Sequence, residues 1–404
     1  MTQQWSQQQA HALTTVGNWL KKGNKPYFQL AGYAGTGKTT LAKHLVESVD
    51  GAVYFAAFTG KAAHVLQKAG AHNVSTIHKL IYLPKEKSKQ RLKDLENALQ
   101  EAKQKGDLQG AKDLSELIAA ETANISRPSF TLNLDSPLKT AKLLVVDEYS
   151  MINQAMGEDI MSFGCPVLAL GDPAQLPPVF GEPYFNNKPD VLLTEIHRQA
   201  ADNPIIHLAS LVRKGEEIPD GFYGESLVVS QSKFRPPEFR EGILKADQVL
   251  VGKNKTRTSF NSRIRELTGR SGLYPVAGDK LICLRNNNEV GLLNGQIWTA
   301  TTDAILDTDL GSDYLSMGLV DEDGGMMGVL AHTAPFKGEA VDPYTRKEAE
   351  EFDYGYAMTV HKAQGSQWDN VLLYNEWGST NKRQWLYTGI TRAAQKITIV
   401  KAGQ

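Results

Sequence analysis

A chain of 404 residues, 41% of them apolar, is long enough to build two main domains, each with its own core. Its formal net charge of −1 argues against coating nucleic acid by bulk attraction, but leaves room for a local groove. Cys165 and Cys283 lack metal-ligand spacing, and no apolar run approaches membrane-spanning length. The N-terminus MTQQWSQQQA is too polar for a secretory signal, so no membrane association and a cytoplasmic location are expected.

Tyr27 to Leu30 reads as a short strand. It leads into GYAGTGKTT, Gly32 to Thr40, after which Leu41, Leu45, Val46 and Val49 recur at helical spacing. A strand, a G-x-x-x-x-G-K-T loop and a helix in that order form a phosphate cradle. Backbone N–H groups from Gly32, Gly35, Thr36, Gly37 and Thr40 face anionic oxygens, Lys38 adds a mobile positive charge, and the Thr39 hydroxyl suits Mg²⁺. Such a loop serves kinases, GTPases, transporter ATPases and motors alike.

Next come a strand from Val53 to Phe55, the turn Thr59-Gly60-Lys61, an Ala-rich helix and the segment Val74 to His78. From Lys85 to about Thr122 the chain is dense in charge, with leucines at helix-like spacings around Gly106 and Gly110, which predicts an inserted helical hairpin. It is either a solvated pair of helices or a contact arm. Arg127 to Leu134 alternates and predicts a returning strand, with Phe130 either an exposed wedge or packed.

Leu143 to Val146 and Val167 to Leu170 are apolar throughout and end in Asp147-Glu148 and Gly171-Asp172. Both resemble buried parallel strands with polar residues at the carboxyl ends, where open α/β sheets place ligands. A second set starts near Val249 and resumes at Tyr354 to Val360, Val371 to Tyr374 and Ile397 to Val400. The interruption, residues 268–352, holds short strands around the turn Asn294-Gly295 and suits a small β-barrel or curled sheet.

Asp147 is placed to hold a metal and Glu148 to position water, although an acidic pair at a strand end serves equally well as a helix N-cap. In GDPAQLPPV, Gly171 to Val179, the neutral amide of Gln175 suits a γ-phosphate sensor on a proline-stiffened loop. Arg198 and Arg392 are the candidates for neutralising charge on a transferring phosphoryl group, Arg392 within LYTGITRA, which reads as a helix.

Taken in order, the motifs resemble superfamily 1 DNA helicases of the RecD and phage Dda type. They are Gln9, GYAGTGKTT, FTGKAA (58–63), STIHKL (75–80), VVDEYSM (145–151), GDPAQLPPV, EIHRQ (195–199), TVHKAQGSQWD (359–369) and LYTGITRA (386–393). The resemblance implies an α/β fold of two RecA-like P-loop domains in tandem. Residues 1–83 with 136–200 would form the first, with a helical and β arm inserted at 84–135. Residues 201–267 with 353–404 would form the second, with a β-barrel-like insertion at 268–352.

The resemblance further implies a 5′ to 3′ DNA helicase using ATP and Mg²⁺. Gln9 would recognise adenine, Gln367 the ribose, and Gln175, Arg198 and Arg392 the γ phosphate. Thr59, Gly60, Lys61, Thr76 and His78 would hold a single strand from the first half, and Thr359, His361 and Lys362 from the second. The expected partners are single-stranded DNA, single/double-strand junctions and replication or recombination proteins, met by a monomer. Gln367 stands where the family often carries a carboxylate, and the charged insertion differs from the family's bare strand-splitting hairpin. A translocase that remodels without unwinding, or an ATP-regulated nucleic-acid-binding protein, is the alternative. A GTPase is disfavoured because Asn254-Lys255-Thr256-Arg257 lacks the guanine-reading Asp.

Overall fold

The computed structural model describes residues 5–84, 90–126, 130–186, 188–195, 203–287, 289–308, 311–376, 378 and 380–403. After helix α1 (Gln7–Lys22) the first half runs through β1 (Tyr27–Gly32), α2 (Lys38–Val46), β2 (Val53–Ala57), α3 (Gly60–Lys68), β3 (Val74–Thr76) and α4 (Ile77–Ile81). It leaves the sheet through the ribbon strand β4 (Tyr82–Pro84) and helices α5 (Gln90–Gln104) and α6 (Leu108–Ser126), and returns along β5 (Phe130–Leu132), antiparallel to β4. It then completes the sheet with β6 (Leu143–Val146), α7 (Gln154–Met161), β7 (Val167–Gly171) and β8 (Val191–Leu193).

Among the described residues these strands form a six-stranded sheet in the order β3-β2-β6-β7-β1-β8, parallel throughout. Its central strands have no polar face because both faces are covered. Leu30, Leu143, Val145 and Leu168 pack with α1, α2 and α3 on one side, while Ala31, Leu144, Val146 and Val167 pack with α4 and α7 on the other.

The second half opens with helix α8 (Pro204–Lys214) and continues through β9 (Gly221–Tyr223), β10 (Ser226–Ser230), β11 (Gln248–Val251) and helix α9 (Asn254–Leu267). The insertion follows as β12 (Lys280–Cys283), β13 (Ile297–Ala300), β14 (Ile305–Leu306), β15 (Tyr314–Asp321), β16 (Met326–His332) and β17 (Phe352–Tyr354). The chain ends with β18 (Ala357–Thr359), β19 (Trp368–Asn375), helix α10 (Lys382–Ile390) and β20 (Ala393–Lys401). The second sheet has the order β18-β11-β19-β20-β10-β9, parallel except for β9 against β10. The insertion is a separate curled antiparallel sheet around Leu281, Trp298, Leu315, Leu319 and Phe352. Its root is fixed by the buried pair Arg265 and Asp279, 3.0 Å apart, with the Tyr356 hydroxyl donating to the same carboxylate.

The sequence reading missed the edge pair β9 and β10, because SLVVS is short and flanked by polar residues, and only its pairing with β20 makes it a sheet strand. One placement is corrected. Arg392 is not on a helix: α10 ends at Ile390, and the Arg392 guanidinium closes that end by donating to the Thr388 carbonyl at 3.1 Å.

Candidate nucleotide cleft and nucleic-acid interface

The loop between β1 and α2 folds as it does because of its glycines. Gly35 and Gly37 have φ of +79° and +76°, which side-chain-bearing residues rarely adopt. A Cβ on Gly32 would stand 2.5 Å from the Thr36 Oγ1. Lys38 turns back over the loop and donates to the carbonyls of Gly32 at 2.7 Å and Tyr33 at 3.2 Å. Thr39 and Thr40 lie in the first turn of α2. Gln9 completes a capping box with Ser6 at the start of α1, and its amide donates to the Thr36 carbonyl at 3.1 Å, tying α1 to the loop.

Beyond the carboxyl end of β6, Asp147 accepts from the Glu148 backbone N–H at 2.9 Å. Burial, and then the charge of Glu148, push Asp147 up to about 6. Glu148 holds a left-handed backbone, φ +56° and ψ +47°, an unusual conformation for a residue other than glycine. Its carboxylate lies 4.0 Å from the Arg392 guanidinium, which comes from the second half. Arg198 lies outside the described residues.

Asp172, at the end of β7, is fully buried, and burial raises its carboxyl above the ordinary range against the opposing field of Lys38. Gln175 follows in the same loop with its Oε1 buried and without a hydrogen-bond partner among the described residues. A buried acceptor left in this way is completed by a donor, such as the O–H of a water. Gln367 sits on the second half, donating to the Ala393 carbonyl at 3.5 Å.

Sequence reasoning did not single out Tyr33, Arg213, Arg383 or Tyr387. These four line a cavity of about 230 Å³ with Pro173, Ala174 and Gln384. The Arg213 guanidinium lies 3.9 Å from the centre of the Tyr33 ring. Tyr387 belongs to LYTGITRA and was legible as part of that motif, whereas Arg213 on α8 carries no local signal.

Of the expected strand contacts in the first half, Thr59, Gly60 and Lys61 meet residues of the second half, whereas Thr76 and His78 do not. Thr59 caps α3, accepting from the Ala62 N–H, and Thr76 caps α4, accepting from the Lys79 N–H. Gly60 faces Leu293 of the insertion, and Lys61 reaches Glu322 at 3.2 Å and the Trp368 ring at 5.0 Å. His78 sits among Phe58, Tyr82 and Phe130, each ring centre 5.6 Å away, and burial lowers its pKa. On the second half, Thr359 accepts from the Lys362 N–H, Lys362 reaches Asn294, and burial lowers both His361 and Lys362. Thr359 and His361 line a cavity of about 420 Å³ with Leu176, Val179, Asn254 and Asn381. His78 stands apart from these on the ribbon side.

The AAA domain model matches residues 4–225 and the UvrD-like helicase C-terminal domain matches residues 354–400. The chain is 27% identical over 399 residues to the ATP-dependent RecD2 DNA helicase of Deinococcus radiodurans, covering 91% of this chain and 46% of that protein. It is 28% identical over 211 residues to the ATP-dependent DNA helicase dda of Enterobacteria phage T4, covering 48% and 39%. It therefore spans less than half the length of either relative. Its fold is similar to that of Pif1 helicase from Bacteroides in complex with ADP-AlF3 and ssDNA (TM-score 0.54, 16% identity, covering 96% of this chain and 91% of that one). Pif1 helicase from Candida albicans is comparable (TM-score 0.52, 17% identity, covering 99% and 95%). With two such domains around one cleft, and one family model matching more than half its length, this chain belongs to the superfamily 1 helicases of the RecD2 and Dda type, in a fold like that of the Pif1 structures.

Proposed function

We propose that this chain is an ATP-driven DNA helicase that travels 5′ to 3′ along a single strand. The observation that supports the reading is that residues of the two halves meet at both of the proposed sites. Arg392 approaches Glu148 across the cleft, and the turn holding Gly365 packs on Thr59 and Ala62 at the strand junction. A change of cleft width on nucleotide binding would therefore shift one set of strand contacts relative to the other, which is what directional stepping requires.

In this reading Lys38 and the loop amides hold the phosphates, Glu148 orients the attacking water, Gln175 senses the γ phosphate, and Arg392 neutralises charge on it. Gln9 and Gln367 face the nucleoside. Thr39 and Asp147 would hold Mg²⁺, which supplies charge neutralisation on the phosphates. A hydroxyl and a carboxylate are oxygen donors of the kind such a hard cation takes. Residues 1–83 with 136–200 and 201–267 with 353–404 act as the two motor units, with 84–135 and 268–352 as inserted arms. No helix among the described residues is long and apolar enough to cross a membrane.

The test is unwinding of matched partial duplexes with either a 5′ or a 3′ single-stranded tail, with ATP and Mg²⁺, beside Lys38→Ala. Activity on the 5′-tailed duplex alone, lost in Lys38→Ala, is expected. Preference for the 3′ tail would reverse the polarity. Strand-stimulated hydrolysis without unwinding would replace the reading by a translocase, and no stimulation would remove the motor.

A further inference from the structure

We propose that Tyr387 is a positioning residue that sets the Gln175 loop in register with the phosphate loop from across the cleft. It rests on the reading that this cleft hydrolyses ATP. Tyr387 lies on α10 in the second half and is 2% exposed. Its hydroxyl accepts from the Ala34 backbone N–H at 3.1 Å and donates to the Asp172 carboxylate at 2.6 Å. One phenol oxygen thus joins the phosphate loop to the end of β7.

The neighbouring contacts extend this register along the same loop. The Asp172 carboxylate accepts from the Ala174 N–H at 2.9 Å, and the Thr388 hydroxyl accepts from the Leu176 N–H at 2.9 Å. The Gln364 amide donates to the Leu176 carbonyl at 3.3 Å. Gln175 is therefore held between two points, Asp172 and Leu176, that are both fixed by side chains of the second half. The chemistry needs a phenol. It must accept from an amide and donate to a carboxylate at once, at the reach of an aromatic ring, which phenylalanine and serine fail in turn. Because Tyr387 is buried, losing its hydroxyl leaves the Ala34 N–H and the Asp172 carboxylate each short of a partner. Movement of α10 away from the first half thereby releases the Gln175 loop from its register with the Lys38 loop.

The experiment compares the 404-residue chain with its Tyr387→Phe variant. It measures kcat and KM for ATP hydrolysis with and without oligo(dT), equilibrium binding of a fluorescent ATP analogue, and the melting temperature. The expected result is a kcat with oligo(dT) about tenfold lower, with KM and analogue affinity within about twofold of wild type. An unchanged kcat in Tyr387→Phe, beside an active wild type, overturns the inference and leaves the motor reading standing. A loss of affinity in step with kcat also overturns it, since the hydroxyl would then merely support the loop. A wild type without hydrolysis overturns both. Should Tyr387→Phe fail to fold, Thr388→Val tests the same docking through the Leu176 N–H, and an unchanged kcat there overturns the inference.

Discussion

Gly365 lies directly against Ala62 of α3: a Cβ built on it would stand 3.0 Å from the Ala62 Cβ and 3.1 Å from the Thr59 Oγ1. Its φ of +75° adds a second reason for glycine at this point. Gly365→Ala is expected to cost about 1–3 kcal/mol in backbone strain and crowding, and to spread the two halves where the strand contacts meet. Strand-stimulated hydrolysis should fall several-fold more than hydrolysis without DNA. Equal loss in both, measured with and without oligo(dT), would mean that this contact serves stability alone.

The raised carboxyl of Asp147 predicts a pH dependence. Unfolding returns it from about 6 to its ordinary 3.8, so between these values the folded state holds the proton more tightly. Its contribution to stability is complete below pH 4 and is lost as the pH rises through 6. Without Mg²⁺, Asp147→Asn should therefore gain in melting temperature relative to wild type between pH 4 and 7. Added MgCl₂ should close that gap by favouring the charged wild-type side chain, and hydrolysis by wild type, run with Mg²⁺, should show its acidic limb below pH 6. A difference independent of pH would show that Asp147 is not an unpaired buried acid.

Phe130 on the ribbon is 43% exposed yet stacks on Tyr82, ring centres 5.8 Å apart. In the proposed helicase that exposed surface would meet a base at a junction. Phe130→Ala is expected to lower unwinding of a 5′-tailed duplex by roughly fivefold, of the order of one base-stacking contact, while strand-stimulated hydrolysis stays within about twofold. Parallel loss of hydrolysis and unwinding would place the residue in the packing of His78 and the ribbon.

Arg213 stacks on Tyr33, so α8 of the second half touches the phosphate loop directly. Arg213→Ala removes a cation–π contact of about 1–2 kcal/mol between the halves and should raise KM for ATP by up to about fivefold to thirtyfold, in proportion to how far nucleotide binding strengthens the contact. Arg213→Lys should recover only part of this, because an ammonium lacks the planar group that stacks. An unchanged KM would show that the contact is equally strong before and after nucleotide binds.

The strands and helices nearest the cleft were legible because their signals are local. A glycine loop between an apolar strand and a helix, and carboxylates just past buried strands, follow from backbone conformation and from the rule that parallel strands are covered on both faces. The hairpin of α5 and α6 and the short strands of the insertion also announced themselves by spacing and turn residues. The edge pair β9 and β10 did not, because five half-polar residues become a strand only beside β20.

The sequence by itself determined the chemical inventory: a phosphate loop, two acidic strand ends, an amide-bearing loop and hydroxyl-rich turns in a fixed order. Which of these meet was decided only by tertiary structure. Tyr387 and Ala34 are separated by 353 positions, as are Asp172 and Tyr387 by 215, and both contacts run through one phenol oxygen. No periodicity encodes such pairs, because local patterning fixes which face of an element is buried but not which element from the other half will be packed against it.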